Sequence, residues 1–402
     1  MRILLLTQVV PYPPDSGPKI KTYNVLRYLA ERHEVHLATF VRSGEEANVQ
    51  ELRSICASIS TVPLARSRLR DVVCLAQSLA IGRPFLIQRD ASRAMRDLIR
   101  RLLRQYVFDA VHADQLTMAQ FAVDAPVPFR LLDEHNAVWT IVRRAGREQR
   151  GILRALAEIE WRKLRTYEGE ICQRFDLVTV VSEQDKAALA EAAQAIFPVE
   201  IIPITVDTDE LAFKPRTPEA QNVVSVATMF YPPNVEGVYW FATRVYPLIK
   251  RELAGVRFYI VGSRPPSRIT RLADSGGRIV VTGYVADLEP ILRRSGVMVV
   301  PVRSGSGMRV KILEAFARGI PVVSTTVGVE GIDARAGEHL LVADEPDEFA
   351  RAVLLVLTDP AVGPRLAHAG RELAEARYDR RTALAALDRV YPFSREQIPV
   401  ES

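Results

Sequence analysis

The chain has 402 residues, and its length, composition and charge already argue against several classes of protein. One hydrophobic core rarely supports so long a chain, so we expect two domains. Hydrophobic residues make up 48% and charged residues 25%, which argues against long disorder. With 53 Lys and Arg against 48 Asp and Glu, the net charge of +5 is too balanced for a nucleic-acid-binding protein, although it suits an anionic substrate.

The cysteines and the apolar runs indicate where the protein resides. Cys56, Cys74 and Cys172 lie far apart and form no ligand-like pair, so we expect a reducing compartment rather than a disulfide framework or a structural zinc site. The first apolar run stops at a proline-rich segment and is better interpreted as a buried strand than as a signal peptide. No run approaches the roughly 18 residues of a membrane span. We expect a cytoplasmic protein, with peripheral contact at the inner face of the membrane as a further option.

The first half of the chain alternates predicted strands with predicted helices. The strands cover residues 3–6, 35–40, 60–63, 108–112, 129–133, 177–182 and 200–203. Helices are predicted over residues 68–104, interrupted at Gly82 and Pro84, and over residues 138–174. This alternation indicates a mostly parallel sheet that is covered by helices on both faces.

The alternation restarts after a polar, proline-containing linker at residues 205–218. Further strands are predicted at residues 223–226, 258–261, 279–281, 297–300 and 321–325. We therefore predict an α/β protein with two Rossmann-like doubly wound domains, residues 1–204 and 205–377, that face each other across a cleft. A C-terminal helix, about residues 378–402, is expected to pack back on the first domain.

Residues 304–315, with the sequence SGSGMRVKILEA, carry the clearest indication of a ligand site. Glycines let backbone N–H groups approach a ligand, and a helix that begins there adds the positive end of its dipole, so the loop suits an anion. Arg309 and Lys311 add full charges, and Glu314 lies about one helical turn further on, where it can accept hydrogen bonds from hydroxyl groups. An anion beside a diol describes a nucleoside diphosphate. The alternative is a plain turn before a helix with a Lys–Glu surface pair.

Three polar clusters follow strands of the first half, where ligands of parallel sheets gather. They lie at residues 15–17, 112–114 and 133–136. Gly17 can offer its amide to a phosphate, unless it serves only the turn. His112 and His135 can donate to a sugar hydroxyl or carry a proton, unless they are capping or core histidines. We group His112 with Asp114 and Asn136 as acceptor-side candidates.

Arginines are frequent in the helices predicted over residues 138–174. Because glutamates are interleaved with them, the pattern first predicts a solvated, salt-bridged surface. Contact with anionic lipid headgroups is the alternative.

Together these features resemble the GT-B glycosyltransferases, and specifically glycosyltransferase family 4. The resemblance rests on the two Rossmann-like halves, on the glycine loop of the first half, and on GMRVKILEAFARGIPVV at residues 307–323, with support from residues 180–183 and 283–285. It covers nearly the whole chain. It implies a retaining transfer from a nucleotide sugar, UDP- or GDP-linked, to a glycan, lipid-linked or small-molecule acceptor, with no metal ion or other cofactor. The first domain would then be the acceptor side and the second the donor side.

The resemblance also gives roles to individual residues. His135, Arg309 and Lys311 would be catalytic: the histidine would contact the donor sugar and the two cations would neutralise the diphosphate. Glu314 would bind the donor ribose. Tyr284 and Val285 would line the pocket for the nucleotide base. The remaining donor-binding positions are Gly17, Gly305, Ser306, Gly307 and Met308.

The sequence departs from the family pattern in two places. Ser306 stands where the family carries a second glutamate, about eight residues before Glu314. The usual Arg/Lys pair near the start of the second domain is missing from residues 229–237. Arg309 and Lys311 must then carry more of the phosphate charge.

Two other functions remain open. A nucleotide-sugar epimerase of the same architecture would need acid and base residues beside the sugar, and Asp133, Glu134 and His135 are candidates. A catalytically silent nucleotide-sugar-binding protein is kept open by Ser306. A dehydrogenase is disfavoured because the first loop lacks the three-glycine fingerprint.

Overall fold

The structure is a computed structural model that describes residues 1–147, 149–215, 217, 220–273, 276–305 and 307–391. The chain divides into two compact units. Unit 1 contains Met1–Ile204 and the chain from Leu384 onward, and unit 2 contains Thr205–Ala383. Residues 378–383, which we predicted to belong to the tail on the first domain, are therefore part of unit 2. The predicted end of that tail, residues 392–402, lies outside the described residues.

Unit 1 is built on a seven-stranded parallel sheet with the order β3-β2-β1-β4-β5-β6-β7. Its strands are β1 (Arg2–Thr7), β2 (Glu34–Val41), β3 (Ser58–Pro63), β4 (Ala110–Asp114), β5 (Phe129–Glu134), β6 (Leu177–Val180) and β7 (Val199–Ile201). Alternate residues of β1 enter different cores: Leu4 and Leu6 belong to one apolar cluster, and Ile3 and Leu5 to another. A continuous apolar run is what a strand needs when helices cover both faces of its sheet.

The helices of unit 1 flank this sheet. They are α1 (Gly17–Ala30), α2 (Glu46–Glu51), α3 (Arg68–Ile81), α4 (Phe85–Arg89), α5 (Arg93–Gln105), α6 (Leu116–Ala122), α7 (Val138–Arg147), α8 (Gly151–Cys172) and α9 (Glu183–Ala193), with a 3-10 turn at Leu52–Ser54. Ser67, Ser92 and Ser182 cap α3, α5 and α9, because each hydroxyl accepts a hydrogen bond from the backbone N–H three residues later. The predicted interruption is confirmed, since α3 ends before Gly82, whose φ is 71°.

Unit 2 repeats the architecture with a six-stranded parallel sheet in the order β10-β9-β8-β11-β12-β13. Its strands are β8 (Asn222–Val226), β9 (Phe258–Val261), β10 (Ile279–Gly283), β11 (Ser295–Val300), β12 (Val322–Ser324) and β13 (Leu341–Val342). The last strand was not predicted, because two residues are too few to show a strand pattern. The two Rossmann-like domains are thereby confirmed.

The helices of unit 2 cover its sheet, and the chain then returns to unit 1. They are α10 (Pro232–Trp240), α11 (Tyr246–Glu252), α12 (Ser267–Thr270), α13 (Glu289–Leu292), α14 (Val310–Ala317), α15 (Pro346–Thr358) and α16 (Val362–Leu373), with π-helical turns at Phe241–Val245 and Ala374–Tyr378. The short α17 (Arg380–Leu384) spans the boundary, because its last residue belongs to unit 1. After α17 the short α18 (Ala386–Val390) belongs to unit 1, where Asp388 accepts a hydrogen bond from the Tyr28 hydroxyl at 2.8 Å.

Both sheets have a topological switch point, the place where the strand order reverses. In unit 1 it lies between β1 and β4, and in unit 2 between β8 and β11. The loops after two such strands diverge and leave a crevice at the carboxyl edge, where open parallel sheets bind ligands. Each unit therefore carries one place that is suited to a ligand.

No helix within the described part of the chain is long and apolar enough to cross a membrane.

Candidate active site

The glycine loop of unit 2 lies at the switch point of its sheet. It joins the buried strand β11 to α14, and Arg309 occupies the N-cap position of that helix. Gly305 and Gly307 have φ values of 95° and 87°, in the left-handed region that other residues rarely adopt. A Cβ atom on Gly305 would also lie 2.9 Å from the Tyr231 hydroxyl. The predicted position Ser306 lies outside the described residues.

Two cations of this loop are held inside the crevice rather than in solvent. The Arg309 side chain is buried, and its guanidinium donates a hydrogen bond to the carbonyl oxygen of Gly307. Lys311 Nζ donates to Asn234 Oδ1 at 3.2 Å. Asn234 belongs to α10, after β8, and donates in turn to the carbonyl oxygen of Thr228 at 3.0 Å. The two segments that flank the switch point are thus joined through Lys311.

Burial changes the acid–base properties of these side chains. It lowers the pKa of Lys311 to about 7, and the charge of Arg309 adds to the effect while Glu314 opposes it. Burial also raises the pKa of Glu314, against the opposing charges of Arg318 and Lys311. Neither Lys311 nor Glu314 is exposed, which favours a ligand site over a solvated surface pair.

The predicted base-pocket residues lie further along the sheet of unit 2. Tyr284 and Val285 follow β10, the edge strand, and the ring of Tyr284 is exposed. Gly283 ends the strand with a φ of 71°, and its carbonyl oxygen accepts a hydrogen bond from the N–H of Gly262 at 3.0 Å. Their role in binding a base stays a prediction. Met308 is buried beside the loop.

In unit 1 the predicted polar residues meet at the ends of β4 and β5. Asp114 and Asp133 are in register on these neighbouring strands. His135 Nε2 lies 3.0 Å from Asp114 Oδ1, and the Thr22 hydroxyl donates to the same carboxylate at 3.0 Å. Lys21, which is 1% exposed, donates a hydrogen bond to Asp133.

This cluster is an internal network of charges. Burial alone would raise the pKa of Asp133, but Lys21, His112 and His135 lower it well below its usual range. Ligand atoms of Asp114, Asp133 and His135 lie within 4.8 Å of one another, as in a site for a metal ion. The Lys21 ammonium, however, already neutralises Asp133. The predicted independence from metals stays a prediction.

Each histidine of the cluster has one buried ring nitrogen that lacks a hydrogen-bond partner among the described residues: Nδ1 of His135 and Nε2 of His112. His112 Nε2 lies 3.8 Å from Asp133 Oδ2, and the other ring nitrogen of His112, Nδ1, lies 3.0 Å from the Tyr391 hydroxyl. His135 Nδ1 is available to a ligand. Gly17 begins α1 beside the switch point, and Asn136 is only partly buried. The assignments of these residues to donor or acceptor stay predictions.

Sequence reasoning missed Lys21 and Thr22. A signal was present, because Lys21 stands four residues before the buried Val25, on the face of α1 that covers the sheet. A lysine on a buried helical face needs a partner, and here the partner is Asp133.

Glu134, predicted as a possible acid for an epimerase, does not belong to this cluster. Successive strand residues point to opposite faces of a sheet, so Glu134 faces away from Asp133 and His135. It is close to Glu168 of α8, and burial together with this neighbour raises the pKa of Glu134 well above its usual range. Glu168 itself accepts hydrogen bonds from the N–H groups of Val138 and Trp139, at 2.7 and 2.9 Å.

Solved structures with the same fold include several glycosyltransferases. Sucrose-phosphate synthase from Thermosynechococcus elongatus is 18% identical, and the match covers 97% of this chain and 98% of that one with a TM-score of 0.70. HepE from Anabaena, in complex with UDP and glucose, is 14% identical over 97% of this chain and 99% of its own, with a TM-score of 0.66. The chain therefore has the GT-B fold, the two-domain architecture of a large class of glycosyltransferases.

Sequence comparison identifies the family. Residues 17–210 match the family model described as Glycosyltransferase Family 4, and residues 220–359 match Glycosyl transferases group 1. The chain belongs to the glycosyltransferases of family 4, group 1 type. An uncharacterized 44.6 kDa protein in the cps region of Klebsiella pneumoniae is 22% identical over 88% of this chain and 90% of its own. The lipopolysaccharide core biosynthesis glycosyltransferase LpsE of Rhizobium meliloti is 32% identical over 32% of this chain and 39% of its own. These matches give the epimerase alternative no support.

Proposed function

We propose that this glycosyltransferase moves a sugar from a nucleoside diphosphate sugar to a glycan, lipid-linked or small-molecule acceptor and retains the anomeric configuration. One observation carries the proposal: Lys311, with a pKa lowered to about 7, lies with Arg309 at the start of α14, where two left-handed glycines shape the loop. An ammonium that is largely withdrawn from water is costly, and a diphosphate supplies an anion that stabilises it.

The nucleotide is proposed to be UDP or GDP. HepE, which shares the fold, has been solved with UDP and with UDP-glucose. In this chain Glu314 binds the ribose hydroxyls, Gly17 offers its amide to the phosphates, and Tyr284 with Val285 contacts the base. The backbone around Gly305 substitutes for the family's second glutamate.

The transfer itself needs stabilisation of a leaving diphosphate. The bond between the anomeric carbon and the diphosphate oxygen breaks, and the acceptor hydroxyl oxygen bonds to the same carbon from the same face. The hydroxyl proton goes to the departing phosphate oxygen. Because negative charge grows on the diphosphate as the bond breaks, Arg309 and Lys311 stabilise the transition state more than the ground state.

His135 is proposed to contact the donor sugar through Nδ1. Its other ring nitrogen is held by Asp114, so the ring has one orientation and one free hydrogen-bonding position. Asp114 is in turn held by Thr22. This network positions the imidazole.

No metal ion takes part in the proposed reaction. Arg309 and Lys311 supply the positive charge that a divalent cation supplies in other transferases, and Lys21 neutralises Asp133. Transfer is therefore expected to survive treatment with EDTA. A loss of activity that added Mg²⁺ or Mn²⁺ restores would contradict this part of the proposal.

The acceptor is proposed to be a surface glycan or its lipid-linked precursor, with small molecules as a further class. Support comes from LpsE, a lipopolysaccharide core biosynthesis glycosyltransferase, and from the relative in the cps region. The acceptor side would be unit 1, with His112, Asp114 and Asn136 near the acceptor.

A thermal-shift screen tests the proposal. UDP-, GDP-, ADP- and TDP-sugars are offered to the protein, because a ligand that binds only the folded state raises its melting temperature. The stabilising donor is then incubated with candidate acceptors, and proton NMR of the product gives the anomeric configuration. We expect one nucleotide to stabilise the protein and the product to keep the donor's configuration. Inversion, or the absence of any nucleotide effect, would overturn the proposal.

A further inference from the structure

The outward face of α3 is apolar, which is the reverse of an ordinary surface helix. Leu69, Val72, Val73 and Leu79 are all exposed, and the side chain of Leu69 is 77% exposed. At 3.6 residues per turn these positions share one side of the helix. The opposite side, which carries Cys74 and Ser78, is the one that is buried.

A second exposed apolar stripe begins α8. Ile152 is 76% exposed, and Leu153 and Ile159 are exposed as well. The two helices belong to unit 1 and are joined directly, because Lys163 Nζ of α8 donates to the Ser78 hydroxyl of α3 at 2.6 Å. Of the 14 large apolar side chains exposed in the described part of the chain, 8 lie on α3 and α8. Such concentration in two elements is unlike the scattered apolar residues of ordinary surfaces.

The stretches of chain around the two apolar stripes are rich in arginine: residues 64–83 include α3 with its flanks, and residues 143–154 run from α7 into the first turn of α8. Residues 64–83 contain four arginines and one aspartate, a net charge of +3, and residues 143–154 contain five arginines and one glutamate, a net charge of +4. Together the two stretches carry +7 against the +5 of the whole chain, so the remaining residues have a net charge of −2. Arg68, Arg70, Arg150 and Arg154 are exposed next to the apolar stripes.

We infer that the exposed faces of α3 and the start of α8, hereafter the α3/α8 face, dock the protein on an anionic lipid bilayer. Leucine, isoleucine and valine side chains enter the boundary between headgroups and acyl chains, and the arginines contact the phosphates around them. The charge selects this occupant, because a second copy of the same face would bring like charges together. The inference deepens the proposed function, since it places the enzyme where lipid-linked acceptors are found.

Vesicle sedimentation tests the docking. The full chain is mixed with vesicles of pure phosphatidylcholine and with vesicles that contain equal parts of phosphatidylcholine and phosphatidylglycerol. We expect binding to the anionic vesicles that weakens as salt is raised, because exposed charges are screened. Equal binding to both vesicle types, or to neither, would overturn the inference.

Two sets of variants separate the apolar contribution from the charge. The triple variant Leu69→Gln, Val72→Gln, Ile152→Gln should lose about tenfold or more of its vesicle binding. Arg68→Glu with Arg154→Glu should bind more weakly and lose the salt dependence. The matched controls are Leu355→Gln and the pair Arg244→Glu, Arg251→Glu, which change exposed side chains of unit 2 and should bind as the unchanged protein does. Equal losses in the controls would show a general surface effect and overturn the inference.

A fluorescent label reports insertion directly. The three native cysteines are buried, so a single introduced thiol can be labelled. A polarity-sensitive dye on Val72→Cys should shift to the blue when anionic vesicles are added, whereas the same dye on Leu355→Cys should not. Light scattering tests the alternative that the α3/α8 face is a self-association surface. If the unchanged protein is a dimer, the triple glutamine variant is a monomer and the dye on Val72→Cys does not respond to vesicles, the inference fails.

The two levels of proposal fail separately. Stabilisation by the nucleotide sugar depends on residues that none of the α3/α8 variants changes, so it should be the same in all of them. A protein that docks on vesicles but binds no nucleotide would sink the proposed function alone, and one that binds nucleotide but not vesicles would sink the docking alone.

Discussion

His135 Nε2 lies 3.0 Å from Asp114 Oδ1, and both side chains are buried at the ends of neighbouring strands. The hydrogen bond assigns the proton to Nε2 and leaves Nδ1 as the position that can meet a ligand. Asp114 acts in this account as a positioning residue, because it orients the ring.

Asp114→Asn is expected to lower turnover by at least about tenfold, the effect of misdirecting one charged hydrogen bond. The amide can present an N–H to the imidazole and favour the wrong tautomer. Donor KM should change little, whereas the pH profile of kcat should shift. Because the two residues act as a unit, adding His135→Ala to Asp114→Asn should lower turnover little further. Asp124→Asn, at an exposed carboxylate paired with Arg174, is the control. Fully additive losses would argue that Asp114 has another role.

Lys311→Met should separate stability from activity. The pKa of Lys311 is about 7 in the folded protein against an ordinary value of 10.5, so between these values the unfolded chain binds more protons. The stability of the ligand-free protein therefore rises with pH through this window, and the full cost of the charge is present below about pH 7. The variant should melt at a higher temperature than the unchanged protein at pH 7 and should lack that pH slope, while transfer falls by about a hundredfold or more.

Melting curves across pH 6 to 10 and initial rates check this prediction. Lys250→Met, at an exposed lysine of α11, is the control and should change neither quantity. Normal turnover in folded Lys311→Met would contradict the assignment of this lysine to the diphosphate.

Glu314→Gln should weaken nucleotide binding and leave the fold intact. The carboxyl group is partly buried and its pKa is raised, and a ribose diol would replace the water that it loses. Calorimetry should give a dissociation constant for the nucleoside diphosphate that is about tenfold or more higher. Glu348→Gln, at an exposed position of α15, serves as the comparison. An unchanged dissociation constant would favour a structural role for Glu314.

Glu134→Gln is expected to stabilise unit 1 above neutral pH. The pKa of Glu134 is raised well above the ordinary value and that of Glu168 is raised to about 8, in both cases first by burial. The folded state thus binds more protons than the unfolded chain between about pH 4.5 and 8, and the stability contributed by this pair is lost as pH rises through that range. Removing one ionisable group should raise the melting temperature at pH 8 by about 2 °C or more, and have less effect at pH 5. A larger rise in melting temperature at pH 5 than at pH 8 would contradict the raised pKa values of Glu134 and Glu168.

Much of the fold could be predicted from the sequence, because both sheets are parallel and buried. Their strands appear as continuous apolar runs, and the interruption at Gly82 is visible as a break in the helical pattern. The two-residue strand β13 carries no such pattern. The return of the C-terminal segment to the first domain was predicted, but the residue at which it leaves unit 2 was not, because that depends on long-range contacts such as the one between Tyr391 and His112.

The candidate site could be predicted only in part. The glycines and cations of the loop are close in sequence, so their pattern was visible. The partners that hold the site come from distant segments: Asn234 is 77 residues from Lys311, and Lys21 is 112 residues from Asp133. Glu134 was misassigned because it is adjacent to Asp133 and His135 in sequence. Successive residues of a strand point to opposite faces of the sheet, so its side chain does not join theirs.

The central claim is that Lys311 and its loop bind the diphosphate of the donor. The most direct measurement is calorimetry of UDP and GDP at about pH 8 in two buffers that differ in ionisation enthalpy, since the anion should raise the pKa of Lys311 and draw a proton from the buffer. We expect one nucleotide to bind with net proton uptake, and Lys311→Met to bind about tenfold or more weakly with no uptake. If neither nucleotide binds, or if Lys311→Met binds equally well with the same uptake, the account is contradicted.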